Sequence, residues 1–142
     1  MSATLMAAAL FFTVVLLVVT AYFILGSVPL LILKHDTHLD SRFVRGFFNT
    51  YYLAAMFIAG ATAMSYAFAG KLVFAAGAAA LSLLATILRR MVIPKMDSLR
   101  AEIQFSGPNA IPGFRRLHVT AILLNLAQLV LIVWSLISFS QQ

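Results

Sequence analysis

The fold is decided by an unbroken apolar stretch near the start of the chain, Leu5–Leu33, with the sequence LMAAALFFTVVLLVVTAYFILGSVPLLIL. It contains no charged residue, and a helix needs only about 20 apolar residues to cross the hydrocarbon core of a bilayer. The stretch is too long for the apolar part of a secretory signal peptide and lacks a basic segment before it, so we do not expect cleavage. Gly26 and Pro29 stand near its end. We therefore expect a helix to about Leu25, followed by a kink or a re-entrant turn.

Three further stretches are apolar enough to span a membrane, at about Phe47–Phe68, Leu72–Leu88 and Leu117–Phe139. Only Ala69-Gly70-Lys71 separates the second from the third, which predicts a tight antiparallel hairpin. Of the 142 residues, 63% are hydrophobic and 10% are charged, whereas soluble domains carry about 25% charged residues. The sequence predicts one integral membrane domain over residues 1–142, an all-α bundle of four transmembrane helices.

The charged residues are distributed unevenly between the connections. Nine of the ten Lys and Arg residues flank the first and third connections, namely Lys34, Arg42, Arg45, Arg89, Arg90, Lys95, Arg100, Arg115 and Arg116. By the positive-inside rule, both connections are cytoplasmic and both termini lie outside a bacterial-type inner membrane. The four acidic residues, Asp36, Asp40, Asp97 and Glu102, lie in the same connections. The absence of a carboxylate within the spans argues against a proton pump or ion-coupled transporter.

The third connection contains an amphipathic segment. Met96, Leu99 and Ile103 repeat at helical spacing after Pro94, with charged residues between them. This pattern predicts either a short helix on the cytoplasmic membrane surface or a kinked extension of helix three. Ser106-Gly107-Pro108-Asn109 and Pro112-Gly113 then predict turns.

Small residues are concentrated in the predicted hairpin. Helix two carries alanines at four-residue spacing with Gly60 beside them, and helix three carries the run Ala75–Ala80. Because lipid is as apolar as leucine, helices in a bilayer associate through close packing of small residues. We expect the alanine and glycine faces to bring the two backbones of the hairpin together.

Polar side chains on three of the predicted helices should lie close to one another near the cytoplasmic ends of the bundle. They comprise Arg45, Asn49 and Tyr52 on helix two, Arg89 and Arg90 on helix three, and His118, Asn125 and Gln128 on helix four. Lipid cannot satisfy such groups, so they should face the interior of the bundle. Two interpretations remain open. The residues act as interhelical contacts and membrane anchors, or they form a cytoplasm-facing pocket for a ligand or for catalysis.

Several kinds of site are excluded or disfavoured. The chain has no cysteine, which excludes disulfides and thiolate chemistry. Bis-histidine haem ligation is disfavoured because only His118 lies near a span. His35, Asp36, His38 and Asp40 supply suitable metal donors, but their spacing has no specific geometry and indicates a solvated loop. We predict no metal site and no cofactor.

Two motifs resemble a known family. Helix three closes with Arg89-Arg90-Met91-Val92-Ile93-Pro94-Lys95-Met96, and helix four opens with Phe114-Arg115-Arg116-Leu117-His118, followed by Asn125. With Gly26 and Pro29, this pattern resembles the small four-helix membrane proteins related to anthrone oxygenases and to the transmembrane protein linked to cisplatin resistance. Anthrone oxygenases convert a polycyclic anthrone to a quinone with O₂, without metal or flavin. The resemblance implies His118 as the base, with Arg90 and Asn125 stabilising the substrate anion.

Three functions therefore remain open. The first is a membrane protein that binds a hydrophobic small molecule, a lipid or a partner subunit. The second is a cofactor-independent oxygenase acting on an aromatic or quinone-like substrate, and the third is a small, oligomeric transporter. Polar residues at one cytoplasmic level favour the first two, because a conducting path needs polar groups along its whole depth. Membrane lipids are the expected partners, and a homo-oligomer is compatible with so short a chain. The net charge of +6 follows from orientation rather than from nucleic-acid binding.

Overall fold

The computed structural model describes residues 2–34 and 37–141, and this part of the chain folds into four α-helices. They are α1 (Ser2–Leu30), α2 (His38–Phe68), α3 (Leu72–Ser106) and α4 (Ile111–Ser140), with one 3₁₀ turn (Pro108–Ala110) before α4. All four helices are long and apolar enough to cross a membrane. The predicted all-α transmembrane bundle is confirmed.

Each helix buries one stripe of its surface. On α1 the buried residues recur at alternating steps of four and three, as Ala9, Thr13, Leu16, Thr20, Phe23 and Ser27. The same steps connect His118, Ala121, Asn125, Gln128 and Ile132 on α4. A seven-residue repeat keeps one helix face against its neighbours, as in left-handed helical bundles. The other faces expose large apolar side chains such as Phe11, Val18 and Leu123, as contact with lipid tails requires.

The helices α2 and α3 form the predicted tight hairpin. Gly70 has a φ of +75°, and the Lys71 N–H donates to the Tyr66 carbonyl at 2.9 Å. This arrangement is a Schellman-type helix end, which glycine favours because it has no Cβ. Further along the hairpin, the Ser82 hydroxyl donates to the Met56 carbonyl across the interface at 2.8 Å.

The small residues of the hairpin are not all buried between helices. Ala55 and Ala59 of α2 are buried, as predicted for close packing. In the run Ala75–Ala80 of α3, however, only Ala75 and Ala78 are buried. The other residues of the run face away from the core, so their small size brings no close packing there.

The predicted end of α1 at Leu25 is wrong, because the helix continues through Gly26 and Pro29 to Leu30. A Cβ on Gly26 would lie 2.7 Å from Cζ of Phe47. Glycine at this position therefore allows a close approach of α2 instead of breaking α1. Pro29 falls in the last turn, where the helix is already ending.

The other helices extend beyond their predicted apolar spans. α2 begins at His38 rather than Phe47, and the Thr37 hydroxyl caps it by accepting from the Asp40 N–H at 3.1 Å. α3 continues through Pro94 to Ser106, so the amphipathic segment is an extension of helix three. Its Met96 and Leu99 are buried, as the spacing predicts.

The predicted turn at Pro112-Gly113 is wrong. Pro112 lies in the first turn of α4, which begins at Ile111. Proline is tolerated there because the first N–H groups of a helix have no partner within the helix. The turn predicted at Ser106–Asn109 is present, with Gly107 at a φ of +89°.

Candidate functional site

The two ends of the bundle differ in chemistry. We call the end that carries Arg45, Arg89, Arg100 and Arg115 the basic end, and the end with the α2–α3 turn the hairpin end. The predicted polar pocket falls at the basic end. In the structure these residues form separate small groups, such as Arg89 with Asn49 and Tyr52 with Asn125, rather than one cluster.

Arg45 is committed to an ion pair between α2 and α3. Its Nε and Nη2 atoms donate to Oδ1 and Oδ2 of Asp97, each at 3.0 Å. Arg100 donates to the same Oδ1 at 3.3 Å and to the Ser41 hydroxyl at 3.2 Å. The amphipathic extension of α3 is thereby tied to the first turns of α2.

Arg89 and Asn49 form a second polar pair between the same helices. The Arg89 Nε donates to the Asn49 Oδ1 at 3.1 Å. Its neighbour Arg90 is exposed and lies on a different face of α3. Of the two arginines that end the predicted span, only Arg89 therefore takes part in the described helix contacts.

His118 caps the end of α1. The side chain is fully buried, its ring packs edge-to-face on Phe48 with centroids 5.0 Å apart, and its Nε2 lies 3.1 Å from the Ser27 carbonyl oxygen. Because a carbonyl only accepts, Nε2 carries the hydrogen of this contact. Ser27 is among the last four residues of α1, whose carbonyls lack partners within the helix.

Arg115, one turn before His118, completes the cap. Its Nη2 donates to the Leu31 carbonyl at 2.7 Å. A cation at the C-terminal end of a helix is also favoured by the helix dipole. Sequence reasoning interpreted Arg115 only as a membrane anchor and missed this contact.

Deeper in the bundle, two amides face two tyrosines. Asn125 donates from Nδ2 to the Ala121 carbonyl of its own helix at 2.7 Å, and the Tyr52 hydroxyl lies beside Asn125. Within the described part of the chain, neither this hydroxyl nor Oδ1 of Asn125 has a hydrogen-bond partner of good geometry. The Tyr51 hydroxyl donates to the Gln128 Oε1 at 3.4 Å.

α1 contributes polar residues that sequence reasoning missed. Thr13, Thr20 and Ser27 are buried at seven-residue spacing in an otherwise apolar helix. The Thr13 hydroxyl lies 3.1 Å from that of Tyr66 at the hairpin end. The interior is therefore polar at several depths, and not only at the cytoplasmic level that the sequence indicated. That spacing was visible in the sequence and is the signal that would have identified these residues.

A large groove lies at the hairpin end, between α3 and α4. Its volume is about 790 Å³, and it is open along one side. Gly77, Ala78 and Ala80 form the α3 wall, and Leu131 and Trp134 belong to the α4 wall. The deeper wall is made by α1 and α2, through Thr13, Leu16, Thr62 and Tyr66.

Three aromatic side chains join the helices above the groove. The rings of Phe74 and Phe139 meet edge-to-face with centroids 5.4 Å apart, and Tyr66 lies 5.5 and 5.9 Å from them. These contacts hold α3 and α4 together at the hairpin end. The groove is thus a bounded space between this aromatic cluster and the main core.

A much smaller cavity lies behind the groove. It has about 10 Å³ available to the centre of a water molecule, and Thr20, Tyr51 and Gln128 supply its polar lining. It shares three wall residues with the groove, Leu16, Leu81 and Ile132. Of the residues predicted for the polar pocket, only Gln128 lines either space. Whether His118, Arg90 or Asn125 takes part in catalysis, or the other residues bind a ligand, stays a prediction.

Most of the metal donors considered in the first connection cannot be placed. His35, Asp36 and the side chain of His38 lie outside the described residues. Among the side chains that the structure describes, no three of His, Asp or Glu are grouped closely enough to hold a metal ion.

Comparison with known proteins leaves the resemblance untested. No family model, no curated protein and no solved structure matches this chain. The similarity to anthrone-oxygenase-like proteins therefore stays a prediction based on the quoted motifs, and the groove is the feature on which a function can be argued.

Proposed function

We propose that this integral membrane protein binds a hydrophobic small molecule or lipid chain in the groove between α3 and α4. The observation that carries the proposal is an apolar space of about 790 Å³ that opens sideways from the bundle. Ligand sites typically enclose about 300–1,000 Å³, with mostly apolar walls and a few placed polar groups. The groove matches this description in volume, in its leucine and aromatic walls, and in the hydroxyl groups of Thr13 and Tyr66.

The small residues of α3 support a binding role. Gly77 and Ala80 line the groove with no side chain larger than a methyl group, so they leave room in it. A wall without neighbouring atoms loses dispersion contacts, so in a bilayer an apolar molecule fills the space. The side opening of the groove faces the surrounding lipid, because exposed apolar residues such as Trp134 and Val73 line it. A molecule dissolved in the bilayer can therefore enter directly.

Photolabelling of proteoliposomes tests this proposal. The probe is a phosphatidylcholine with a diazirine in one acyl chain, and labelled peptides are mapped by mass spectrometry. We expect labelling of the facing segments of α3 and α4, and its loss in Ala80→Phe, where the ring fills the groove. Ala79→Phe is the matched control, because Ala79 is exposed on the same helix but does not line the groove. Equal labelling of both variants and wild type would refute groove binding.

We also propose the orientation and location that the charges favour, with the basic end in the cytoplasm of a bacterial-type inner membrane. Because the chain has no cysteine, single cysteines report topology without background. In spheroplasts, Ser140→Cys should react with an impermeant maleimide, whereas Asn109→Cys should react only after permeabilisation. The reverse labelling pattern would show that the protein has the opposite orientation.

A further inference from the structure

We infer that the small cavity behind the groove is a subsite for a neutral carbonyl oxygen on the groove ligand, held by the amide of Gln128. This inference rests on the proposed function, because the groove supplies the apolar part of the site. It adds the chemical class of the ligand, a lipophilic carbonyl compound.

The first support is the state of the Gln128 amide. The side chain is only 7% exposed. Its Oε1 accepts from the Tyr51 hydroxyl at 3.4 Å, which directs the NH₂ group away from that contact. Within residues 2–34 and 37–141, Nε2 finds no hydrogen-bond partner. A buried donor without an acceptor is costly, so this amide is prepared to receive an oxygen atom.

The second support is the position of the cavity. Gln128 lines it together with Thr20, and its apolar walls Leu16, Leu81 and Ile132 also line the groove. The groove and the cavity therefore adjoin at these three side chains, and an oxygen atom on a groove ligand would enter the cavity between them. With about 10 Å³ for the centre of a water-sized group, the cavity admits a single oxygen atom projecting from a chain or ring.

Charge and depth restrict the ligand. None of the described residues that line the cavity carries a charge at neutral pH. A carboxylate would therefore find no counter-charge at this depth. Gln128 lies twelve residues before the end of α4 at Ser140, which is about 18 Å along the helix. That distance places it near the middle of a hydrocarbon core of about 30 Å. The ester carbonyls of phospholipids lie at the interface and do not reach it, whereas a ketone or quinone carbonyl on an apolar molecule does.

A matched pair of competitors tests the inference. 6-Undecanone and undecane have the same chain length and differ by a carbonyl at the centre. Each is titrated, by mole fraction in the bilayer, against the diazirine lipid in proteoliposomes. We expect the ketone to displace the probe from wild type at about three- to ten-fold lower mole fraction than the alkane, as one hydrogen bond provides.

Gln128→Leu should remove this preference while leaving undecane displacement unchanged. Thr86→Val is the control, because Thr86 lines neither the groove nor the small cavity and its hydroxyl donates to the Ser82 carbonyl of its own helix. This variant should keep the preference. If both competitors act equally on wild type and Gln128→Leu, the groove binds ligands but the carbonyl subsite is refuted. If neither competitor displaces the probe, or Ala80→Phe labels like wild type, the groove itself fails and the inference fails with it.

A second measurement needs no variant. The carbonyl stretch of ¹³C-labelled 6-undecanone should fall in frequency when the ketone binds wild-type protein, because a hydrogen bond weakens the C=O bond. An unshifted stretch would show that no donor of the protein bonds the ketone oxygen, and would overturn the inference.

Discussion

His118→Phe separates a structural from a catalytic role for the buried histidine. Phenylalanine keeps the edge-to-face contact with Phe48 but removes the N–H that meets the Ser27 carbonyl at 3.1 Å. Interhelical hydrogen bonds in membrane proteins contribute about 0.6 kcal/mol on average and about 1.7 at most. A buried acceptor left without a donor costs about 1–3 kcal/mol. We therefore expect His118→Phe to lower the free energy of unfolding by about 1–2 kcal/mol, which raises the unfolded fraction about 5- to 30-fold.

Steric trapping in micelles measures this change at equilibrium. His118→Gln keeps an N–H donor of similar reach and should recover part of the lost stability, whereas a general base would be lost in both variants. Arg116→Gln, at an exposed neighbouring position, is the control and should match wild type. If His118→Phe unfolds like wild type, or if His118→Gln is no more stable than His118→Phe, the hydrogen bond from His118 to the Ser27 carbonyl does not stabilise the fold.

Two further changes test the packing of α2. Gly26→Ala places a Cβ 2.7 Å from Phe47, and the overpacking cost of about 1–3 kcal/mol should exceed the helix-propensity gain of about 1 kcal/mol. Gly46→Ala is the control and should stabilise the protein, because its Cβ meets nothing within 4 Å. Equal stabilities of the two variants in steric trapping would contradict this prediction. Asp97→Asn should destabilise by up to about 1 kcal/mol, because its pair with Arg45 is 33–43% exposed. The loss should shrink in 1 M salt as the charges are screened, and a salt-independent loss would argue against an ionic origin.

Hydropathy predicts the four spans but not the full helices. It detects residues that tolerate lipid, and the first turns of α2 and the extension of α3 lie beyond that region. Their helical state depends on tertiary contacts, such as the bidentate pair of Arg45 with Asp97 and the burial of Met96. A pattern search limited to apolar stretches therefore begins α2 too late and ends α3 too early.

Glycine and proline misled the sequence interpretation for a different reason. At Gly26 the residue type is required by a neighbouring ring, Phe47, which sequence alone does not place. Pro112 lies in the first turn of α4, where a missing N–H costs little, whereas Pro29 lies in the last turn of α1 and stops the helix one residue later. Their effect depends on where each helix begins or ends, and at the end of α1 the contacts from Arg115 and His118 come from a distant part of the sequence.

The candidate site could be predicted only in part. Its polar residues were identifiable, because a buried amide or hydroxyl within an apolar helix is conspicuous, and the seven-residue spacing of Thr13, Thr20 and Ser27 was available too. The groove was not, because it arises from the rotation of α3. That rotation turns Gly77 and Ala80 toward α4 instead of α2, and no local pattern determines it.

The division between the two ends of the bundle follows from how each is held. At the basic end, α1 is capped by α4, and α2 is paired with α3 through guanidinium groups, so the helices are held by directional contacts. At the hairpin end, Phe139 of α4 contacts Phe74 of α3 and Tyr66 of α2 through their rings, and small residues of α3 line the groove nearby. Ligand exchange with the bilayer requires α3 and α4 to separate at this end, and ring contacts can shift without leaving a polar group unsatisfied, unlike a hydrogen bond. The contacts of fixed geometry therefore lie at the basic end, away from the groove through which a ligand must enter.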